Sequence, residues 1–436
     1  MSAVIRIPLR RSPTRPDVRV PGFVARQSCN SHDRGGGNVI RLEARVLKVA
    51  PWLLGLSLVG HLAMVALQAK MTMVDLMVYR NASPELFTGQ LYEWRLKEFS
   101  EQFALPFTYP PFSAFVFVPL SWVSWDVARW FWQLVSLACL YFLTRKSLTL
   151  IGSHDPRRAM LWTALFVWVE PVRTTLNYGQ INLVLAALLI GTLVSARPWL
   201  AGLGVGVAAG VKLTPAISGL YFLVTRKYKA AVWSFVAFVG TVGLGYVISA
   251  GQSHQFWFQL LGDASRVGPV GSAINQSLRA ALSRTVGYDV GTGPIYLVGV
   301  AVALALAAWA LWWAVKAEDT LAMIVTVQFL GLLVSPISWS HHWVWAVPAL
   351  MWLVYGVQHR LAAVTAWAWV LAIGSYLISF LLNAQPSIWI IPRPWYLSLL
   401  GWVYPAVGLL TLVTIAVVLR ERSRERVEDA VDLLRQ

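Results

Sequence analysis

Residues 49–67, VAPWLLGLSLVGHLAMVAL, form a run without Asp, Glu, Lys or Arg. A helix that crosses a bilayer needs about 20 apolar residues, and similar runs recur along the chain to residue 419. The sequence is 57% hydrophobic and 13% charged, with a mean hydropathy of +0.59, whereas a soluble protein is about 25% charged. The sequence therefore predicts an all-α polytopic membrane protein with about twelve transmembrane helices.

The basic residues of the chain, which has a formal net charge of +16, lie mainly in the tails and in short segments between apolar runs. Such segments include RKSL, DPRR and TRKYK. This distribution is typical of cytoplasmic loops and disfavours a nucleic-acid partner. We expect a disordered basic cytoplasmic tail at residues 1–48, an integral membrane domain at residues 49–420 and a charged cytoplasmic tail at residues 421–436.

With the basic tail inside, residues 68–109, 170–182, 251–293 and 335–342 face the outside. Residues 110–145 cross the membrane either once after a half-helix or twice, because prolines interrupt the start of this stretch. The two apolar pieces that flank Lys212 are each about half the length of a normal crossing. Half-helices of this kind are tolerated where they line a cavity within the protein.

This arrangement gathers the unusual polar residues at the outer face, where ionisable groups at membrane depth are functional candidates. They are Asp75, Tyr79, Arg80, Asn81, Glu170, Arg173, Asn177, Tyr178, Gln180, Asn182, Lys212, Ser335, Ser338, His341 and His342.

Each candidate also has a purely structural interpretation. Asp75 can be a helix cap or a solvated loop residue, and Lys212 can extend to the interface, although the break at Thr214 favours an anion. His341 and His342 suggest a metal, but neighbours on a helix diverge by about 100°. Since no Cys or carboxylate lies near them in sequence, we expect hydrogen-bonding or acid–base roles and no metal.

Two further patterns fit a sugar ligand. NYGQIN at residues 177–182 can be a tight turn at Gly179, but its amide side chains also suit a hydroxyl-rich ligand. Many of the 23 tryptophans are expected in interfacial belts, whereas Trp339 lies in an outer segment where its ring can stack on a sugar.

Several motifs, in this order, resemble glycosyltransferase family 87, a set of actinobacterial membrane enzymes of the GT-C architecture that use polyprenyl-phosphate sugars. They are VDLMVYRNA, FTYPPF, NYGQINLVLAALL, AAGVKLTPAISGLYFL and SPISWSHHWVW. The similarity extends from about residue 50 to residue 420. Within the family, the motifs resemble those of the phosphatidylinositol mannoside α-1,2-mannosyltransferases of mycobacteria.

The resemblance implies an active site on the extracytoplasmic side of the plasma membrane, a polyprenyl-phospho-mannose donor, a glycolipid acceptor and no cofactor. It also implies that Asp75 is the catalytic residue. As general base, Asp75 takes the proton of the acceptor hydroxyl, and the configuration at the anomeric carbon inverts from β to α. The candidate donor-phosphate ligands are Lys212, Arg80, Arg173, His341 and His342. The candidate sugar and acceptor ligands are Tyr79, Asn81, Glu170, Asn177, Gln180 and Trp339.

Two alternatives remain open at this point. An arabinofuranosyltransferase of the same family, acting on cell-wall polysaccharide, has the same need for a base and a phosphate site. A secondary transporter can also use broken helices and a lysine at membrane depth, but it is expected to show two similar halves, and the sequence contains no internal repeat.

Overall fold

The computed structural model describes residues 36–68, 71–97, 104–385 and 387–435. Leu47–Gln436 form one compact unit, and the described residues before it, 36–46, are helical. The tail predicted to be disordered, residues 1–48, therefore lies mostly outside the described residues, but its last part belongs to helix α1, Gly36–Ala66. The helix includes this part because RLEARVLK at residues 41–48 consists largely of strong helix formers.

The described residues are mostly helical and contain almost no sheet, which confirms the predicted all-α class. They contain one pair of short antiparallel strands, β1 Arg95–Leu96 and β2 Leu105–Pro106. The α-helices after α1 are, in chain order, α2 Val74–Ala82, α3 Glu85–Thr88, α4 Pro111–Phe117, α5 Trp125–Leu150, α6 Pro156–Phe166, α7 Glu170–Tyr178, α8 Asn182–Leu193, α9 Pro198–Val211, α10 Gly219–Val224, α11 Tyr228–Ile248, α12 Ala250–Gln255, α13 Leu278–Val286, α14 Pro294–Lys316, α15 Thr320–Val334, α16 Ala346–Met351, α17 Arg360–Gly374, α18 Leu377–Ala384, α19 Trp395–Leu400 and α20 Val403–Arg435. Short 3₁₀- or π-helices span Val118–Trp122, Thr214–Ser218, Phe256–Leu260, Ala264–Arg266, Ser340–Trp345 and Trp352–Gly356.

Within the described residues, 5 helices are long and apolar enough to cross a membrane, namely α1, α5, α11, α14 and α20. The number rises to 7 if two bent pairs each count as one span: α7 with α8, bent by 116°, and α17 with α18, bent by 44°. The chain is thus a multi-pass membrane protein. The predicted total of about twelve crossings is not confirmed, because the other apolar helices have only 10–17 residues.

Residues 110–145 contain a half-helix followed by one crossing, the first of the two alternatives considered above. The proline pair starts α4, which has 7 residues and continues into the 3₁₀-helix Val118–Trp122. Ser124 then caps the start of α5, because its side chain accepts a hydrogen bond from the backbone of Val127. α5 has 26 residues, enough for a complete crossing.

The two short pieces that flank Lys212 are also present. α9 ends at Val211, the backbone of Lys212 is extended, and the chain resumes as the 3₁₀-helix Thr214–Ser218. Pro215 favours this interruption because its nitrogen has no hydrogen to donate. The break therefore places a lysine side chain where the helix ends.

Helix α9 is held close to α11 by a stripe of small residues at intervals of four, Gly202, Gly206 and Gly210. A Cβ added at Gly202 would lie 2.5 Å from the backbone oxygen of Ala230, and one at Gly210 would lie 2.3 Å from Oγ1 of Thr241. Close approach of this kind is typical of membrane helix pairs. It fixes the position of α9, and with it the position of Lys212.

Candidate active site

A cavity of about 240 Å³ opens where several distant segments of the chain meet. Its polar lining includes Asp75, Tyr79, Thr108, Tyr109, Gln180, Lys212, Thr214, Asp263, Arg266, Ser335, Trp339 and His342. A smaller cavity of about 50 Å³ lies beside it and shares Lys212, Thr214 and His342 with it. The break after α9 therefore contributes to both cavities.

Helix α2 carries Asp75 and Tyr79, which lie four residues apart and so share one face of the helix. Its start is fixed by Asn177 of α7: the side-chain oxygen of Asn177 accepts a hydrogen bond of 2.9 Å from the backbone of Thr72, and its carbonyl accepts one of 2.7 Å from the backbone of Met73. Asn177, predicted to bind sugar, thus holds the helix that carries Asp75 and does not line the cavity itself.

The turn between α7 and α8 brings Gln180 beside α2. Gly179 has φ +69°, and a Cβ at this position would lie only 2.6 Å from Cβ of Leu76. Glycine therefore permits both the left-handed backbone and the close approach of the two segments. This is the turn that NYGQIN predicts. Its three amide side chains do not form one cluster, because Asn177, Gln180 and Asn182 each bond to a different part of the site.

Gln180 accepts two hydrogen bonds at one oxygen. The hydroxyl of Tyr79 donates to its Oε1 at 3.0 Å and the hydroxyl of Tyr109 at 3.2 Å. Because the oxygen is used in this way, the amide NH₂ group is the part of Gln180 that favours the ionised carboxylate of Asp75. Gln180 therefore links the two tyrosines to the acid.

Asp75 is half-buried, and burial raises the pKa of its carboxyl group to about 6. The hydrogen bond from Gln180 and the positive charge of Lys212 act in the opposite direction and limit the rise. A carboxylate with a pKa near 6 is still mostly ionised at neutral pH, yet is more basic than an exposed aspartate. These are the properties required of a general base.

Lys212 is 6% exposed and contacts side chains on two other segments. Its ammonium group donates a hydrogen bond of 2.9 Å to Oδ1 of Asn182 and lies 3.0 Å from Nε2 of His342. It also lies 5.2 Å from the ring centre of Tyr109, within cation–π range. None of the carboxylates in the described residues forms a salt bridge with Lys212.

The two histidines differ in position, and His342 is the one that lines the cavity. Since an ammonium group can only donate, Nε2 of His342 accepts from Lys212 and its proton lies on Nδ1. The ring of His341 instead packs edge-on against Tyr178, with centres 5.6 Å apart. The carbonyl of His341 accepts from Thr175 at 3.0 Å and from Asn182 at 2.9 Å, so this residue joins the segment to α7 and α8.

Two predicted ligands on α2, Arg80 and Asn81, do not line the cavity. The guanidinium group of Arg80 donates to Oδ1 of Asn81 at 2.9 Å and to the carbonyl of Val123 at 2.8 Å. These contacts tie α2 to the segment before α5.

Two predicted ligands on α7, Arg173 and Glu170, also lie outside the cavity lining. Arg173 lies 3.4 Å from Nδ1 of His61, and its guanidinium carbon lies 6.0 Å from the ring centre of Trp168. The buried carboxylate of Glu170 accepts a hydrogen bond from the hydroxyl of Tyr404. Of the predicted ligands, the structure thus brings together Asp75, Tyr79, Gln180, Lys212, Trp339 and His342.

Three residues of the cavity lining were not among the candidates from the sequence, namely Tyr109, Asp263 and Arg266, and Asn182, a candidate without an individual role, holds Lys212. Tyr109 belongs to FTYPPF and Asn182 to NYGQIN, so their motifs were a usable signal. Asp263 and Arg266 lie in a polar segment without a local pattern, and Arg266 is placed by a hydrogen bond of 2.9 Å to the carbonyl of Phe107, far away in sequence. Within the described residues, no group of three or more His, Cys, Asp or Glu side chains is arranged to hold a metal ion.

Comparison with known proteins identifies the family. The model described as Glycosyltransferase family 87 matches residues 107–336. The chain is 44% identical over 381 residues to the "Polyprenol-phosphate-mannose-dependent alpha-(1-2)-phosphatidylinositol pentamannoside mannosyltransferase" of Mycolicibacterium smegmatis, covering 86% of this chain and 92% of the relative. It is 43% identical to the Mycobacterium tuberculosis protein of the same description, covering 86% of this chain and 88% of the relative.

A third relative, the "Polyprenol-phosphate-mannose-dependent alpha-(1-2)-phosphatidylinositol mannoside mannosyltransferase" of Mycobacterium tuberculosis, is 31% identical over 71% of this chain and 77% of its own length. No solved structure matches the fold. The match to the family model and the long relatives show that this chain belongs to glycosyltransferase family 87 and is a membrane glycosyltransferase.

Proposed function

We propose that this chain transfers mannose from a polyprenyl-phospho-mannose donor to a phosphatidylinositol mannoside, with an α-1,2 linkage, at the outer face of the plasma membrane. The observation that carries the proposal is that Asp75 and Lys212 line one cavity, so that a base and a buried cation face the same space. The names of the two relatives at 44% and 43% identity support mannose as the sugar and a phosphatidylinositol mannoside as the acceptor.

In the proposed step, Asp75 removes the proton of the acceptor hydroxyl. The hydroxyl oxygen forms a bond to the anomeric carbon of the donor mannose, on the face opposite the phosphate. The bond between that carbon and the phosphate oxygen breaks, and its electron pair leaves with the polyprenyl phosphate. The configuration inverts from β to α, and positioned general-base catalysis contributes about 10²–10⁴-fold to the rate.

In this proposal Lys212 binds the donor phosphate and His342 positions Lys212. Lys212 uses two of its three ammonium hydrogens on Asn182 and His342, which leaves one for a phosphate oxygen. His342 accepts from Lys212 at Nε2, whereas its Nδ1 is buried and has no partner within the described part of the chain. The ammonium group of Lys212 stabilises the charge that develops on the leaving phosphate.

The remaining predicted ligands divide between the sugar and the surrounding structure. Tyr79, Gln180 and Tyr109 supply hydroxyl and amide groups for the donor mannose, and Trp339 supplies an aromatic face on the cavity wall for a sugar ring. Arg80, Arg173, His341, Glu170, Asn81 and Asn177 are assigned no contact with the substrates, because they bond elsewhere and do not line the cavity.

The sugar is tested with the purified full-length protein in detergent. It receives phosphatidylinositol mannosides together with radiolabelled polyprenyl-phospho-mannose or, separately, polyprenyl-phospho-arabinose. We expect label from the mannose donor to enter the glycolipid and to be released by an α-1,2-mannosidase. Transfer from the arabinose donor alone would replace the proposal with the arabinofuranosyltransferase alternative.

The outer-face location of the cavity and the cytoplasmic location of both tails are part of the proposal. They follow from the basic segments between the apolar runs. In intact cells, an impermeant thiol reagent should label Gln90→Cys, which is exposed near the cavity segments, but not Arg424→Cys on α20. Cys29 and Cys139 are first replaced by serine. Labelling of Arg424→Cys alone would invert the orientation.

A further inference from the structure

The cavity has a second charged wall, formed by residues 256–267, to which neither the sequence nor the proposed step assigns a role. This segment places Asp263 and Arg266 on the lining. Asp263 is exposed and Arg266 is half-buried. The segment therefore extends from the cavity to the protein surface. It presents one carboxylate and one guanidinium group to a ligand in the cavity.

The wall is anchored to the outer segment between α3 and β1. Gln252 accepts a hydrogen bond of 3.2 Å from the backbone of Tyr92 and donates one of 2.7 Å to the carbonyl of Gly89. The rings of Phe256 and Tyr92 are stacked with centres 5.7 Å apart. The guanidinium carbon of Arg266 lies 5.3 Å from the same Tyr92 ring, so Arg266 is held over an aromatic face.

Arg266 and Lys212 contact different parts of one strip, residues 107–109. Arg266 donates to the carbonyl of Phe107 at 2.9 Å, whereas Lys212 lies 5.2 Å from the ring centre of Tyr109. The Phe107 and Tyr109 rings are themselves in edge contact, with centres 6.1 Å apart. The cavity thus holds two cations, Lys212 and Arg266, which contact different residues of this strip.

The charges around Arg266 favour a neutral ligand over a phosphate. The carboxylates of Asp263 and Glu93 act on the charge of Arg266, as does the guanidinium group of Arg95. Arg266 therefore has two acids and a second cation near it, and one of the acids, Asp263, lines the cavity beside it. A neighbouring acid repels a phosphate, whereas an acid and a guanidinium group together accept from and donate to the hydroxyls of a sugar.

A tryptophan completes this wall. Trp339 lines the cavity, and the chain passes close to its ring at Gly268, where φ is +147° and a Cβ would lie 2.8 Å from Cζ2 of Trp339. Only glycine fits both the backbone angle and this space. The wall and the tryptophan are therefore packed as one surface.

We propose that Asp263 and Arg266 bind the hydroxyls of the acceptor sugar that precedes the mannose being extended, with the ring of Trp339 as its stacking platform. This inference rests on the proposed function and adds an acceptor subsite to it. The donor mannose stays between Asp75 and Lys212, and the acceptor chain leaves the cavity past Asp263 towards water.

The test compares two synthetic acceptors, octyl α-mannoside and octyl α-dimannoside, with the purified full-length protein. Asp263→Asn retains an oxygen for the hydrogen bonds from Ser265, and Arg266→Gln removes the charge. We expect each variant to raise KM for the dimannoside about tenfold, as for the loss of a hydrogen bond to a charged group. KM for the monomannoside should stay within about twofold of wild type, because this acceptor has no second sugar to occupy the subsite. KM for the donor should also stay within about twofold, because the donor does not contact the subsite.

Arg279→Gln is the matched control, because Arg279 pairs with Asp289 at 2.7 Å outside the cavity lining. Equal losses with both acceptors, or an increase in donor KM, would overturn the subsite. If the wild-type protein transfers no mannose, the proposed function fails, and the subsite is then tested separately by quenching of tryptophan fluorescence with the dimannoside. Equal binding by wild type and the two variants in that measurement would also overturn it.

Discussion

Lys212 and Arg284 are both buried cations without a carboxylate partner in the described residues, but their surroundings differ. Arg284 is 1% exposed and donates to three backbone carbonyls, those of Ser272 and Asn275 at 2.8 Å and that of Gly401 at 2.7 Å. Lys212 contacts two side chains and faces a cavity. Both cations are buried, but only Lys212 of the two lines a cavity that an anion could enter. The hydrogen-bond partners of a buried cation are therefore more informative about anion binding than its burial is.

The carbonyls that Arg284 holds belong to a loop that supports the active-site segment. The backbone of Gln276 donates to the carbonyl of Ser338 at 2.7 Å, and that of Ser340 donates to the carbonyl of Ile274 at 2.8 Å. Arg284 therefore stabilises the surroundings of Trp339 and His342 without contacting the cavity. Lys212 is expected to affect catalysis, whereas Arg284 is expected to affect stability.

The largest effect is predicted for Lys212→Met. Loss of a preorganised cation at the leaving phosphate should lower kcat/KM for the donor by about 10²–10³-fold. The unfolding temperature should fall less than in Arg284→Met, because the loss of two hydrogen bonds, to Asn182 and His342, is offset by removal of a buried charge that no salt bridge compensates. Steady-state kinetics and thermal unfolding of the same detergent preparation check both points. Unchanged donor kinetics would remove Lys212 from the phosphate site.

Arg284→Met should have the opposite profile. The substitution removes three hydrogen bonds from a charged donor, at about 1.5–3 kcal/mol each. Because the carbonyls of Ser272 and Gly401 keep a second donor, the backbone of Asn275 and the side chain of Gln276, we expect the protein to lose about 3 kcal/mol of stability. The fraction that remains folded should keep a donor KM within about twofold of wild type. A normal unfolding temperature together with weakened donor binding would contradict the assignment of Arg284 to stability and would place it at the donor site.

The smallest effect concerns the pH dependence of the reaction. Burial raises the pKa of Asp75 to about 6, and the base must be ionised, so kcat/KM should fall as the pH decreases through about 6. The positive charge of Lys212 lowers this pKa. In Lys212→Met the pKa of Asp75 should therefore be higher, and the residual activity should begin to fall at a higher pH than in wild type as the solution is acidified. A limb that stays at the same pH would indicate that the two groups are not coupled.

The sequence predicted the features that show as a difference between a residue or segment and its immediate neighbours in the chain. The apolar runs indicate a membrane protein, and Lys212 is conspicuous because it interrupts the apolar run GVAAGVKLTPA. The family motifs contributed Asp75, which composition alone would leave as a possible cap. Arg284, by contrast, lies in the polar segment LRAALSRTV, where an arginine resembles any surface residue.

The features that sequence reasoning missed depend on contacts between distant segments. Arg284 is buried because Gly401 supplies a carbonyl from 117 positions away. Arg80 and Arg173 looked equivalent to Lys212 in the outer segments, but the folded chain gives them other partners, Val123 and His61. The number of crossings could not be predicted firmly, because an apolar run does not distinguish a full crossing from two short, bent pieces.

The most direct test of the account is the Asp75→Asn variant, with Asp126→Asn as a control, because Asp126 is an exposed acid that pairs with Arg129 outside the cavity lining. Asparagine preserves the size of the side chain but cannot accept the proton. We predict that mannose transfer falls at least about 10²-fold, while the dissociation constant for polyprenyl-phospho-mannose changes less than about twofold. Near-normal turnover by Asp75→Asn would contradict the assignment of Asp75 as the base, and with it the proposed mechanism.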